Sequence, residues 1–174
     1  MVGMTKQRMS EFLKGPYIAR VGTVGPEGEP YVTPMWFVWD GESIYVIGRK
    51  RSSWVEHMRR NSRVAVLIDG VGPPEFKISI QGTAQIMQTD WVETGRKMSV
   101  KYFGNETGTG YLEATLDQPR FLVKIDPKKI TTWEVPPEKA AGKEGWHPRY
   151  YEPGSKWYEE FNAERQGAKS QRKS

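Results

Sequence analysis

The chain of 174 residues contains no cysteine and only two histidines, His57 and His147. Without cysteine there can be no disulfide, no thiolate metal ligand and no cysteine nucleophile. With so few histidines we also expect no histidine-rich metal centre, and we predict no metal site. No apolar run approaches the ~20 residues of a membrane helix, and the N-terminus lacks the apolar stretch of a signal peptide. These absences predict a soluble, cytoplasmic protein with no membrane partner.

Acidic residues are also missing from one part of the chain. The last ten residues, 165–174, hold four basic residues and no acidic one, whereas the formal net charge of the whole chain is +5. The remainder is therefore close to neutral. A nucleic-acid partner would favour a basic face on the folded part, so we do not expect nucleic-acid binding.

The sequence pattern predicts strands joined in hairpins, with helices inserted between them. The strands are predicted at 17–24, 31–39, 42–47, 63–69, 76–88, 120–125 and 129–135, and the helices at 6–14, 53–61 and 90–102. We expect Pro34 to mark an edge, a bulge or a ligand-facing opening, and Gly82 to mark a bend. Residues 63–69 are nearly all apolar and predict a buried strand, and residues 104–110 predict a flexible loop. This order favours a mainly β fold, an antiparallel barrel or sandwich.

The segment 48–56, GRKRSSWVE, contains the strongest functional signal. Ser53 and Glu56 fit a capping box at the start of the predicted helix. Arg49, Lys50 and Arg51 would then lie beside the positive end of the helix dipole, where cations are unfavourable unless an anion compensates them. The pattern therefore predicts a site for an anionic group, above all a phosphate. The alternative is a solvated basic turn.

The layout and several motifs resemble the pyridoxamine-phosphate-oxidase-like split β-barrels, which bind flavin or deazaflavin. A strand pair of the form G-x-P-x-x-x-P is matched by Gly28 to Pro34, and a helix-to-strand run of the form N-L-R-x-[DN]-P-x-V is matched by His57 to Val64. The chain departs from the family pattern at Trp54, His57 and Ser62, where members often have Lys, Asn and Pro. This would shift the phosphate contact onto the basic residues of the turn.

The resemblance implies an antiparallel split β-barrel that forms a homodimer, with cofactors in grooves between two barrels. The residues implied to lie against the ring are Thr33, Pro34, Met35, Trp36 and Phe37. Those implied to meet the phosphate are Arg49, Lys50, Arg51, Ser52 and Ser53. Gln81 and Gly82 are implied to approach the ring from the other side.

From this resemblance we expect an FMN-binding oxidoreductase that transfers a hydride to or from a small organic substrate. The alternatives are a reductase that uses the deazaflavin coenzyme F-420, or a flavin- or haem-binding protein without turnover. No general acid is apparent, so no catalytic residue is assigned. We expect the split barrel to occupy residues 1–135, an aromatic extension residues 136–164, and a basic disordered tail residues 165–174.

Overall fold

The computed structural model describes residues 3–70 and 75–135, together with the isolated positions 153, 154, 159 and 163. The extension and tail expected after residue 135 thus lie almost wholly outside the described residues. The helices are α1 (Lys6–Lys14), α2 (Ser53–Arg60), α3 (Val92–Phe103) and α4 (Asn105–Glu113). The strands are β1 (Ala19–Val24), β2 (Pro30–Met35), β3 (Val38–Trp39), β4 (Ile44–Arg49), β5 (Arg63–Gly70), β6 (Glu75–Ile86) and β7 (Arg120–Val135).

The seven strands form one antiparallel sheet in the order β2-β1-β5-β6-β7-β4-β3. The sheet curls as a half-barrel around the main core, to which alternate residues of the strands contribute. Met9, Phe12 and Leu13 of α1 and Val55 and Met58 of α2 pack into this core. The mainly β, antiparallel split-barrel fold expected from the sequence is confirmed.

Two local predictions about the strands are confirmed. Pro34 lies in β2, which is an edge strand, where a missing backbone donor is tolerated. The bend expected near Gly82 is a register shift, because Gln81 pairs with Lys129 whereas Gly82 pairs with Pro127. A Cβ atom at Gly82 would lie 2.4 Å from the Asp126 carbonyl oxygen, so only glycine fits this close approach of β6 to β7.

Other local predictions are wrong. The predicted strand 31–39 is interrupted, because β2 ends at Met35 and β3 begins at Val38. Strand β5 is not buried throughout but alternates, and Leu67 is 37% exposed on its outer face. The predicted loop 104–110 belongs to α4, which packs closely on α3. A Cβ atom at Gly108 would lie 2.6 Å from the Ser99 carbonyl oxygen. Gly108, which was predicted to lie in a flexible loop, instead permits close packing of the two helices.

The described helices are short. The longest, α3, has 12 residues, and none of them is long and apolar enough to cross a membrane.

Candidate functional site

A cavity of about 630 Å³ opens beside the edge strand β2. It is bounded by β2, the ends of β4 and β7, the start of α2 and the α3–α4 hairpin. This volume is typical of small-molecule and cofactor sites, which span ~300–1,000 Å³. The residues predicted from the sequence that line the cavity are Thr33, Pro34, Met35, Trp36, Arg49 and Ser52.

Two arginines face each other in this cavity. Arg49 at the end of β4 and Arg120 at the start of β7 are direct partners in the antiparallel ladder, and both line the cavity. Like charges directly opposite each other destabilise a sheet. No Asp or Glu is among the described residues that line the cavity, so an acidic side chain does not compensate this pair there. A bound anion would compensate the two positive charges.

The environment of Arg120 supports the same conclusion. Its guanidinium lies over the Trp91 ring, 4.9 Å from the centroid, and its Nη2 donates to Gln118 Oε1 at 3.3 Å. Its Nε is buried and has no hydrogen-bond partner among the described residues. Leaving a buried donor of this kind unpaired costs ~1–3 kcal/mol, and a ligand acceptor that reached it would remove that cost.

The basic turn contributes less to the cavity than the sequence predicts. Its backbone is closed by a bond from Ser52 N to Arg49 O at 3.0 Å, and Lys50 N donates to Pro119 O at 3.1 Å. Lys50, Arg51 and Ser53 are exposed and do not line the cavity, whereas Arg49 and Ser52 do. The predicted phosphate contacts are therefore divided, and only these two residues share the cavity with Arg120.

The predicted capping box is wrong. Ser52, not Ser53, is the N-cap of α2, and its side chain makes no capping hydrogen bond. Glu56 instead accepts from Arg59 Nε at 3.2 Å, one helical turn further along. Helix α2 can lie close to β4 because Gly48 has no side chain. A Cβ atom there would lie 2.6 Å from Val55 Cγ2.

An aromatic cluster forms the wall on the other side of the cavity. The Trp36 ring is stacked on Tyr102, with centroids 5.0 Å apart and planes inclined by 15°. The rings of Phe103 and Tyr111 contact Trp36 edge-on at 4.9 and 5.5 Å. Phe37 points the opposite way and is fully buried in the core, so its side chain does not reach the cavity.

Gln81 and Gly82 lie away from this cavity. Gly82 is buried against β7. Gln81 is exposed on the outer face of the sheet, in a cross-strand row with Ala65, Gly22 and Val32. A contact between these two residues and a ring in the cavity would need a second subunit and stays a prediction.

The sequence reading missed the contribution of the α3–α4 hairpin. The missed residues that line the cavity are Ile18, Ile47, Trp54, Trp91, Gly95, Met98, Ser99, Tyr111, Leu112, Thr115 and Arg120. One signal could have revealed α4. Gly108 and Leu112, its two buried residues, are four positions apart, which is helical spacing.

The side chains that line the cavity suit the binding of a ligand rather than catalysis. The cavity offers two guanidinium groups, the Ser52 hydroxyl and aromatic walls. Over the described residues, no group of three or more His, Asp or Glu side chains could hold a metal ion. The arrangement suits a planar molecule with an anionic tail.

Comparisons with known proteins identify relatives of this chain. A family model described as pyridoxamine 5'-phosphate oxidase matches residues 5–134. A 5a,11a-dehydrotetracycline/5a,11a-dehydrooxytetracycline reductase from Streptomyces rimosus is 28% identical over 144 residues, which cover 78% of this chain and 87% of the reductase.

Two solved structures show the same fold. A conserved hypothetical protein from Mycobacterium tuberculosis superposes with a TM-score of 0.62 at 22% identity, over 75% of this chain and 85% of that one. An F-420 reductase superposes with a TM-score of 0.57 at 20% identity, over 70% of this chain and 94% of that one. From the family match, the motifs and the half-barrel together, the chain belongs to the pyridoxamine 5'-phosphate oxidase family.

Proposed function

We propose that this protein is an oxidoreductase that binds a flavin-type cofactor in the cavity beside β2 and reduces a small organic substrate. The observation that carries the proposal is the pair Arg49–Arg120, two cations opposed in one ladder within a cavity that has an aromatic wall. The S. rimosus relative, a reductase by name, supports the class of reaction.

The described residues fit such a cofactor. Arg49, Arg120 and the Ser52 hydroxyl offer donors to a phosphate. Trp36, Met35 and Trp91 offer apolar surface to a ring. When bound, a flavin supplies hydride transfer itself, and the protein's residues orient the ring, neutralise the tail and exclude water.

FMN is the first choice for the cofactor because the family resemblance implies it. One observation favours the deazaflavin coenzyme F-420 as a second candidate. Lys50 and Arg51 are exposed and follow Arg49 directly in the chain, so two further cations lie close to the Arg49–Arg120 pair. Four positive charges exceed what one phosphate monoester, with about −2 charge, requires. A longer anionic tail that continues along the turn would use them.

The visible spectrum and a binding titration test this proposal. We expect the purified protein either to carry flavin absorption bands or to bind added FMN or coenzyme F-420. Arg49→Met and Arg120→Met should each weaken that binding about 10- to 100-fold, on the scale of a charge-assisted contact of ~1.5–3 kcal/mol. For FMN, Arg51→Met, which removes an exposed cation outside the cavity, is the matched control. With coenzyme F-420, whose longer tail would use Arg51, the same variant should weaken binding. A Soret band would show haem instead, and failure to bind either cofactor would refute the proposal.

We propose further that the protein is a homodimer and that the second copy covers the outer face of β2, β1 and β5. Val32 is 64% exposed and Leu67 37% exposed on this face, next to the small residues Gly22 and Ala65. Exposed apolar patches of this kind mark interaction surfaces. Pro34, at the rim of the cavity, belongs to the same face, so a docked copy would adjoin the site.

Light scattering after size-exclusion chromatography tests the dimer. We expect Val32→Glu and Leu67→Glu to produce monomers. Leu116→Glu, a change at a leucine that is 48% exposed after α4, should leave the dimer intact. A wild-type monomer at micromolar concentration would contradict the proposal.

A further inference from the structure

The last turn of α3 carries two polar residues, Lys101 and Tyr102, that are partly buried and lie outside the cavity lining. They face the interruption between β2 and β3, where Trp36 and Phe37 belong to neither strand. Backbone groups at such an interruption lack ladder partners and need others.

The two side chains supply those partners. Phe37 N donates to the Tyr102 hydroxyl at 3.2 Å, and Phe37 O accepts from Lys101 Nζ at 3.1 Å. Both backbone polar groups of Phe37 are thus bonded to adjacent residues of one helix.

The same two side chains extend the connection to other segments. The Tyr102 hydroxyl donates to Tyr17 O at 2.5 Å, just before β1. Lys101 Nζ donates to Leu13 O at 3.0 Å, in the last turn of α1. Hydrogen bonds from these two side chains of α3 therefore connect the segment between β2 and β3, the last turn of α1 and the residues just before β1.

The ammonium of Lys101 has no carboxylate partner among the described residues. The charged and titratable groups around it are Lys14 of α1 and Lys97 and Tyr102 of α3, and it lies 3.5 Å from the Phe37 ring centroid. Burial lowers the pKa of Lys101 to about 8 and raises the pKa of Tyr102 to about 12. An ammonium buried without a counter-ion is a local cost, and such costs concentrate at functional positions.

We infer that Lys101 and Tyr102 are positioning residues that hold Trp36 in place as the aromatic wall of the cavity. Tyr102 does so twice, because its hydroxyl fixes the backbone next to Trp36 and its ring stacks on the Trp36 indole. The inference deepens the proposed function and rests on it for the identity of the ligand that the wall meets.

Hydrogen exchange of the ligand-free protein tests the connection itself. Tyr102→Phe keeps the stacked ring and removes only the hydroxyl, so the Phe37 amide should exchange at least about fivefold faster, the effect of one lost hydrogen bond. Lys101→Met should also speed exchange in the 34–39 peptide, and Lys101→Arg should restore part of the protection. Lys97→Met is the matched control, because Lys97 lines the same small pocket but is exposed and pairs with Glu93.

Binding of riboflavin tests the aromatic wall, and binding of inorganic phosphate tests the Arg49–Arg120 pair. In Tyr102→Phe we expect riboflavin affinity to fall at least about fivefold and phosphate affinity to stay within about twofold, because the hydrogen bonds and ring contacts of Tyr102 are with residues other than Arg49 and Arg120 and both arginines are unchanged. Unchanged exchange, or faster exchange with unchanged riboflavin affinity, would overturn the inference. A wild-type protein that binds neither FMN nor coenzyme F-420 would refute the proposed function, whereas the exchange data would still decide whether the connection holds Trp36.

Discussion

Replacing Arg120 by methionine should increase the stability of the ligand-free protein and weaken the binding of an anionic ligand. The change removes a like-charge cross-strand pair with Arg49, worth up to ~1 kcal/mol. It also removes a buried, unpartnered Nε, which costs ~1–3 kcal/mol. The losses are the contact with the Trp91 ring, ~0.5–1 kcal/mol, and the bond to Gln118, ~1 kcal/mol.

Together these terms predict an increase of about 1 kcal/mol in the free energy of unfolding of the ligand-free protein. Methionine fits the site because it is apolar, unbranched and flexible, and can keep the packing against Trp91. With an anionic ligand the balance reverses. The variant loses a charge-assisted contact, so its Kd should rise about 10- to 100-fold.

Urea denaturation of the ligand-free protein and calorimetric titration with FMN or coenzyme F-420 measure the two effects. Arg51→Met is the control, since Arg51 is exposed and does not line the cavity. It should change the free energy of unfolding by less than ~0.5 kcal/mol. A variant at position 120 that is destabilised and still binds ligand normally would show that Arg120 has a structural role, and the argument for an anion site would fail.

Three further predictions follow from the structure. Gly108→Ala should destabilise the protein by ~1–3 kcal/mol in chemical denaturation, because its Cβ would meet the backbone of α3 at 2.6 Å; Gly110→Ala on the same helix has open space and should stabilise by up to ~1 kcal/mol. Neutralising Arg49, Lys50 and Arg51 together should weaken cofactor binding in calorimetry, with most of the loss reproduced by Arg49→Met alone, since only Arg49 lines the cavity. Burial lowers the pKa of Lys101 from 10.5 to about 8, so between these pH values the unfolded chain binds more protons than the folded protein. The free energy of unfolding of the wild-type protein should therefore rise with pH in this range relative to that of Lys101→Met. Urea titrations from pH 7 to 10 in which the difference between the two proteins stays constant would contradict a lowered pKa of Lys101.

Local chemistry explains the parts of the fold that the sequence predicted well. The predicted hairpin between residues 31–39 and 42–47 turns at Asp40 and Gly41, because Gly41 adopts a φ of +108° and Asp40 Oδ1 accepts from the amides of Glu42 and Ser43. Pro34 is confined to an edge strand by its missing donor, and Gly82 permits the close approach of β7. Each of these signals depends on one or two residues and their own backbone, so it can be read without tertiary structure.

Other features depended on contacts between distant segments. Helix α4 contains four glycines or threonines with poor helix propensity between Thr107 and Gly110, and packing against α3 overrides that local preference. The capping box failed because Ser52 is the N-cap, which places Val55 rather than Glu56 at the third helical position, and Glu56 accepts from Arg59 instead.

The sequence by itself determined the antiparallel hairpins, the interrupted hydrogen bonding at Pro34, the bend at Gly82 and the family, because these follow from backbone preferences and short motifs. Only the tertiary structure decided which cations share the cavity. Arg120 lies 71 positions from Arg49 and becomes its neighbour solely through the pairing of β4 with β7. A ladder register is set by the packing of whole strands, so the pair on which the proposed anion site depends cannot be recognised before the sheet is formed.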